Sequence, residues 1–441
     1  MAGEWSTATV LELQQAGVLL VEDGNHGEYR PRPDEFVADG VAFIRAADME
    51  GGRVLFDTAS KINKQARARI TKGIGAPGDI LISHKGTVGK VATVPIDAPL
   101  FVCSPQTTFW RSMNSEKLDP KYLYAFLRSP EFHEQLANRA GETDMAPYVS
   151  LTSQRSFSVS LPPIEVQRGI ADLLCALDDK IELNRRMAET LEAMARALFR
   201  SWFVDFGPVR AKAEGRPTGL PDDLAALFPD SFDNDGLPSG WTRQSLGELF
   251  EVSGGNTPST ANPAFWNGPH QWATPKDLSS LTSPVLLQTD RQLSDAGLRQ
   301  CSSGLLPPRS LLLSSRAPIG YMAFTISPTA INQGFAGIIR KETSTAYAWG
   351  WCDANMDVIT GNAGGSTFPE ISKSVFRQLL MLVPSRPLLQ AFGDAAEPLI
   401  ARIVASVREQ ESLASLRDGL LPKLISGELR IANAEKRISA A

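Results

Sequence analysis

Cysteine is scarce in this sequence, and what there is does not cluster. Cys103, Cys175, Cys301 and Cys352 are spread over 441 residues with no CxxC pair. Disulfide scaffolds and structural zinc sites show themselves by spacing, so both are excluded and a reducing, cytoplasmic setting is expected. Histidine is equally thin: His26, His84, His133 and His270 share no ligand spacing, and no metal site is expected. No GxxxxGK[ST] loop, no GxGxxG behind a strand, no GxSxG and no HExxH occurs. Familiar nucleotide-binding and hydrolase chemistries therefore have no support. The carboxylate pairs Asp178-Asp179 and Asp222-Asp223 fall on an expected helix and an expected linker, where solvation explains them. No catalytic residue and no cofactor is expected. No run approaches the roughly 18 apolar residues of a membrane span, and the first residues lack the basic-then-apolar order of a signal peptide.

Positive charge is also short, with 44 Lys+Arg against 49 Asp+Glu for a net of −5. Nucleic-acid-binding domains usually carry a basic surplus, but here the deficit is local. Residues 217–240 hold Asp222, Asp223, Asp230, Asp233 and Asp235 and no Lys or Arg, which equals the whole net charge. Between Arg53 and Lys90, eight cations stand against Asp57 and Asp79 alone. Within that stretch Lys61, Lys64, Arg67, Arg69 and Lys72 offer the long cationic side chains that phosphate contact requires. Standing alone, such a run is equally a solvated helix face.

What the sequence does have is a repeat. Its length calls for two or more domains, and its 43% apolar and 21% charged residues are those of a globular chain. Ile80-Leu81-Ile82-Ser83-His84-Lys85 before Gly89 is answered by Leu311-Leu312-Leu313-Ser314-Ser315-Arg316 before Gly320. In order along the chain, 43–49 is answered by 272–278, Ser104-Pro105-Gln106 by Ile331-Asn332-Gln333, and 159–163 by 381–384. Each copy ends an apolar strand at a hydroxyl, a cation and a glycine turn. Ser83 with Lys85, and Ser314 with Arg316, can reach phosphate or a guanine edge, and Gln106 or Gln333 can pair with adenine.

Each copy is followed by a helix. Ile170, Leu174, Leu177, Ile181, Asn184, Ala188, Leu191, Ala195 and Leu198 recur at 4-3-4-3 spacing, the seam of a coiled coil, in which Asn184 is the type of residue that fixes register. Neither Pro nor Gly interrupts 170–206, which predicts a rod of about 55 Å. The second helix repeats the start with Phe392, Ala396, Leu399 and Ile403 and regains it at Leu413 and Leu420. Ser406, Gln410 and Arg417 weaken its middle, and Pro398 predicts a kink or restart. The two helices most simply pair antiparallel with each other; the alternative is that each packs on its own domain.

Several segments resemble a known family. The run from Leu161-Pro162-Pro163-Ile164 through Leu177-Asp178-Asp179-Lys180-Ile181 to Ala197-Leu198-Phe199-Arg200-Ser201-Trp202-Phe203 is similar to the conserved helix of type I restriction–modification specificity (S) subunits. Gly254-Gly255-Asn256-Thr257-Pro258, Trp272-Ala273-Thr274-Pro275-Lys276-Asp277 and the variant openings at 23–27 and 40–46 resemble the start of that family's target-recognition domains. Leu420-Leu421-Pro422-Lys423-Leu424 resembles its usual ending. The resemblance implies an α+β protein with two α/β target-recognition domains separated by a pair of long antiparallel coiled-coil helices, related as a pseudo-twofold repeat. The expected divisions are 1–160, the first recognition domain; 161–206, the first helix; 207–240, an acidic Pro/Gly linker; 241–383, the second recognition domain; 384–433, the second helix; and 434–441, a tail.

It implies further a non-catalytic subunit that reads a bipartite, asymmetric site on double-stranded DNA. Two methyltransferase subunits and restriction/translocase subunits would be its partners. The polar residues of the resembling segments, Arg45, Asn256, Thr257, Thr274 and Lys276, join the DNA-contact candidates on their chemistry. The aromatic and apolar exits Phe199, Trp202, Phe203, Phe206, Leu421 and Leu424 are the candidates for partner contact. A coiled-coil scaffold without DNA contact, or a duplicated nuclease, are the competing readings.

Overall fold

The computed structural model describes residues 5–140, 147–316, 318–365 and 369–434, so all but the first residue of the expected tail lies outside the described residues. The chain divides into two compact units, 1–180 with 412–441 and 181–411. The division falls within both long helices.

The first unit contains a six-stranded sheet ordered Leu19–Asp23, Thr107–Ser112, Ile80–Lys85, Thr87–Thr93, Arg53–Val54, Met49–Glu50. Beside it runs a five-stranded sheet, ordered Phe36–Val37, Lys61–Ile62, Val41–Ile44, Phe101–Cys103, Ile74–Gly75. The central strand Ile80–Lys85 is buried from Ile80 to His84, as a continuous apolar run flanked on both sides should be. In the second unit the corresponding sheets are Phe250–Ser253, Phe335–Arg340, Leu311–Ser314, Met322–Thr325, Val285–Leu286, and Arg291–Leu293, Trp266–Ala273, Thr329–Ile331. An antiparallel ribbon closes each module: Ser6–Thr9 with Ser158–Leu161, and Thr242–Ser245 with Leu380–Val383.

The repeat extends to individual hydrogen bonds. Ser83 Oγ accepts from the Lys90 amide at 2.9 Å, and Ser314 Oγ accepts from the Tyr321 amide at 2.8 Å. The Arg45 amide donates to Asp48, and the Thr274 amide donates to Asp277, each at 2.7 Å. Ser150 and Ser372 cap matching helices, Leu151–Arg155 and Lys373–Gln378. One equivalence differs from the sequence reading. Thr107 opposes Ser83 as Phe335 opposes Ser314, so Gln106 stands where Gly334 does, and Gln333 is the mate of Pro105. Short loops hide a one-residue slip that the ladder register reveals.

The two long helices are Ile164–Phe203 and Arg386–Ile425, 40 residues each. The second runs on through Pro398 without the restart that was one of the two expectations there. Pro398 lies on the exposed face, where the hydrogen bond a proline removes is least costly, while Ala396, Ile400 and Ile403 stay buried on the other face. The first helix ends at Phe203, short of the expected Phe206, which turns into the left-handed region at φ 54 and starts a new helix, Gly207–Ala213. Residues 207–240 are more than a linker: Val209 and Phe228 are buried in one core cluster with Trp202 and Trp241.

Within the first unit, Ile170, Leu174 and Leu177 pack with Leu420, Leu421, Leu424 and Ile425. Within the second, Ala195 and Phe199 pack with Phe392, Ala396 and Ile400, and Ala188 with Ile403. The start of one helix meets the end of the other, so they run antiparallel. They also pack on their domains: Ile170 and Leu174 of the first share a cluster with Val10 and Phe126, and Phe392 of the second meets Tyr347 with ring centroids 5.9 Å apart. Both alternatives therefore hold at once. This widens the buried stripe beyond a strict seam. Leu198 and Leu399 are half-buried while their neighbours Phe199 and Ile400 are buried; Ile181, Leu191 and Leu413 are half-buried too.

Asn184 is wholly buried, and among the described residues neither its amide oxygen nor its amide nitrogen has a partner; Ser406, likewise wholly buried, has no partner there for its hydroxyl. An unsatisfied buried polar group costs about 1–3 kcal/mol. The double substitution Asn184→Leu with Ser406→Ala is therefore expected to raise stability by about 1–3 kcal/mol, measured by chemical denaturation; a lower midpoint at unchanged slope would contradict this.

Candidate nucleic-acid interface

Each module builds the same corner at the end of its central strand. In the first, Ser83 is buried with its hydroxyl held by the turn, and the His84 Nδ1–H donates to the Val149 carbonyl at 2.9 Å. Burial lowers the His84 pKa, and among the described residues its Nε2 has no hydrogen-bond partner. Lys85, the next residue, is exposed; it bridges to Tyr148, with Nζ 5.7 Å from the ring centroid. In the second, Ser314 is buried and its hydroxyl donates to the Pro318 carbonyl at 2.8 Å. Arg316 bridges to Glu370, with Nε 2.9 Å from the carboxylate and the side chain 46% exposed.

Behind Arg316 lies a polar cluster. Lys373 Nζ donates to the Gln333 carbonyl at 2.7 Å and lies 3.7 Å from Glu370, and burial pulls its pKa down. Thr257 Oγ1 donates to Gln333 Oε1 at 2.8 Å. The corner thus unites Arg316, Gln333 and Thr257, three residues singled out from sequence, with Lys373 and Glu370, which were not. Tyr148 was missed in the same way. These three residues lie far along the chain from the strands they meet, and no periodicity announces such pairings.

The remaining candidates divide by how their polar atoms are used. Arg69 grips Glu35 through two bonds of 2.6 and 2.7 Å, which hold the Glu35 carboxyl down at about 2. Arg67 is half-buried and donates to the Ile70 carbonyl at 3.3 Å, and Lys61 is half-buried on its strand. Asn256 spends both ends of its amide on Gln300 and Ser302, and the Thr274 hydroxyl donates to Asp277. Arg45, its side chain 45% exposed, donates to Ser60 at 2.7 Å. Lys276 lies 3.0 Å from Asp290 but is exposed. Lys64, Lys72 and Gln106 point outward, Lys72 beside Asn25, His26, Tyr29 and Thr71 around a cleft of about 260 Å³. Ser83 and Ser314 are fully buried, with their hydroxyls engaged inside their own turns.

The residues expected to meet partners are mostly interior. Phe199, Trp202, Phe203, Leu421 and Leu424 are buried in the unit cores, and Phe206 is half-buried against Trp241, 5.7 Å between centroids. Aromatic side chains are large enough that a domain core claims them first.

The two matching corners sit in two stretches of chain, 26–193 and 238–388, that match the profile of the type I restriction modification DNA specificity domain. The chain belongs to this family. It resembles the HindI specificity subunit of Haemophilus influenzae, 27% identical over 88% of this chain and 94% of that one. It also resembles the MjaIX specificity subunit of Methanocaldococcus jannaschii, 24% identical over 79% of each. The S subunit structure from M. genitalium shares the fold, with a TM-score of 0.58 over 95% of this chain and 96% of that one at 14% identity. The protein is thus a type I specificity subunit: a DNA-recognition component, not a catalyst. Among the described residues, no helix is long and apolar enough to cross a membrane.

The Glu35–Arg69 pair gives the first recognition module an acid-sensitive contact. The lowered Glu35 pKa stabilises the fold above the ordinary value of 4.5, and that contribution disappears as pH falls toward about 2. In thermal melts the wild type should outlast Glu35→Gln above pH 4.5 and lose its advantage through this window. An advantage that does not change with pH would rule out the ion pair as its source.

Proposed function

We propose that each recognition module reads one half of a bipartite, asymmetric site on double-stranded DNA, and that the antiparallel helices set the distance between the halves. The observation that carries this reading is the duplicated corner, where two modules with one hydrogen-bonding scheme present different outward groups, Lys85 with Tyr148 and Arg316 with Glu370. Two-headed readers commonly take half-site spacing from protein geometry. Lys64, Lys72, Lys85 and Gln106 are the first module's proposed contacts, and Lys276, Arg316 and Gln333 the second's, with Arg45 and Thr257 beside them. The exposed faces of the helices receive two methyltransferase subunits, restriction/translocase subunits complete the complex, and the assembly works in the cytoplasm. Methyl transfer and ATP-driven cleavage belong to those partners.

Replacing Lys85 or Arg316 with Ala should weaken binding of a cognate duplex to the assembled methyltransferase complex by about 1–3 kcal/mol, if each reads a base. An equal loss on random DNA would assign that residue to the backbone instead. Inserting seven residues into each long helix should change the spacer length in the methylated motif and leave both half-sequences intact. An unaltered spacer would reject the ruler.

A further inference from the structure

The two modules share a second feature at the edge of their smaller sheets. In the first, Phe36 and Phe43 pack edge to face, ring centroids 5.7 Å apart at 81°. Trp266 and Trp272 repeat this pair in the second, 5.1 Å apart at 77°. The strand registers match as well. Ile62 opposes both Phe36 and Val41, and Ser60 faces Phe43; Leu293 opposes both Trp266 and His270, and Arg291 faces Trp272. The position that is Ser60 in one module is therefore Arg291 in the other.

These two residues are used differently. Ser60 is bound by Arg45. Arg291 is exposed on the edge strand Arg291–Leu293, with its guanidinium carbon 3.4 Å from the Trp266 ring centroid and 5.6 Å from that of Trp272. No side chain or carbonyl among the described residues accepts a hydrogen bond from that guanidinium. Both indoles are themselves fixed, Trp266 Nε1 by the Ser259 carbonyl at 3.1 Å and Trp272 Nε1 by the Asn256 carbonyl at 3.3 Å. A planar cation stacked on a buried ring has lost its rotational freedom before any ligand arrives, and its donors lie in one known plane. Trp272 connects it to the corner, because Asn256 adjoins Thr257, which bonds Gln333 beside Lys373 and Arg316.

We infer that Arg291 is a specificity-determining residue of the second module: stacked on Trp266, its guanidinium fork reads a guanine edge in one half of the DNA site. Guanine offers O6 and N7 as paired acceptors in the major groove, the match for a rigid fork. This inference rests on the bipartite reading. A backbone phosphate would take the same charge but would not need the fork.

The test is methylome sequencing of cells that express the whole chain with its methyltransferase partner, as wild type, Arg291→Ala and Arg291→Lys. The expected result is that both variants relax one guanine position in one half of the motif, with discrimination there falling roughly 10- to 100-fold and the other half unchanged. A motif unchanged in both variants overturns the inference. So does a full motif retained by Arg291→Lys while Arg291→Ala loses methylation evenly at all sites, the outcome for phosphate contact. Should Arg291→Ala give no methylation, Arg291→Lys decides by the same criterion, since it keeps the charge and the apolar stem over the indole. A wild type without a bipartite motif would instead reject the function proposed above, which keeps the two failures distinct.

Discussion

The first unit closes its core from two stretches of chain, 1–180 and 412–441, whereas the second is the single stretch 181–411 and takes in parts of both long helices. The first unit buries Leu420, Leu424 and Ile425 from the end of the second long helix, and the second buries Ala195, Phe199, Trp202 and Phe203 from the end of the first. The antiparallel helix packing is therefore a condition for both recognition modules to fold. It explains why the helices are uninterrupted over 40 residues each, and why Pro398 is confined to a solvated face. It also explains the aromatic exit of the first helix. Those rings, with Tyr347 and Phe392, form the centre of the second unit's core.

On this scaffold the repeat separates what must be kept from what is free to change. Buried hydroxyls at Ser83 and Ser314, carboxylate caps at Asp48 and Asp277, and serine caps at Ser150 and Ser372 recur because each satisfies backbone donors that would otherwise be stranded at a turn or helix start. The outward residues differ: Lys85 against Arg316, Tyr148 against Glu370, Ser60 against Arg291. A protein that reads two different half-sequences needs this division, with invariant internal bonds and substituted surface groups. The charge is likewise local, since residues 217–240 carry five Asp and no Lys or Arg while 53–90 holds eight cations against two Asp.

Much of this was legible in the sequence. The 4-3-4-3 spacing from Ile170 to Leu198 marked the first helix, and the paired strand ends at Ser83-His84-Lys85 and Ser314-Ser315-Arg316 marked the duplication. The cations of that motif also point outward. The serines do not, because a hydroxyl beside a glycine turn serves the turn first, and composition cannot tell the two uses apart. Arg69 was counted as a phosphate contact because Glu35 lies 34 residues away and their pairing is a property of the fold. The slip between Gln106 and Gln333 came from matching letters where only the strand register decides. Arg291 carried no signal at all, since its meaning comes from two tryptophans brought under it by a bulged strand.

The central claim is that one chain carries two independent DNA readers. Its most direct test replaces residues 241–383 with the corresponding segment of another specificity subunit of different motif and sequences the methylome of cells carrying the hybrid with the methyltransferase partner. The account predicts a motif in which one half and the spacer are retained and the other half is exchanged for the donor's. A motif changed in both halves, or methylation at a single continuous sequence, would contradict it.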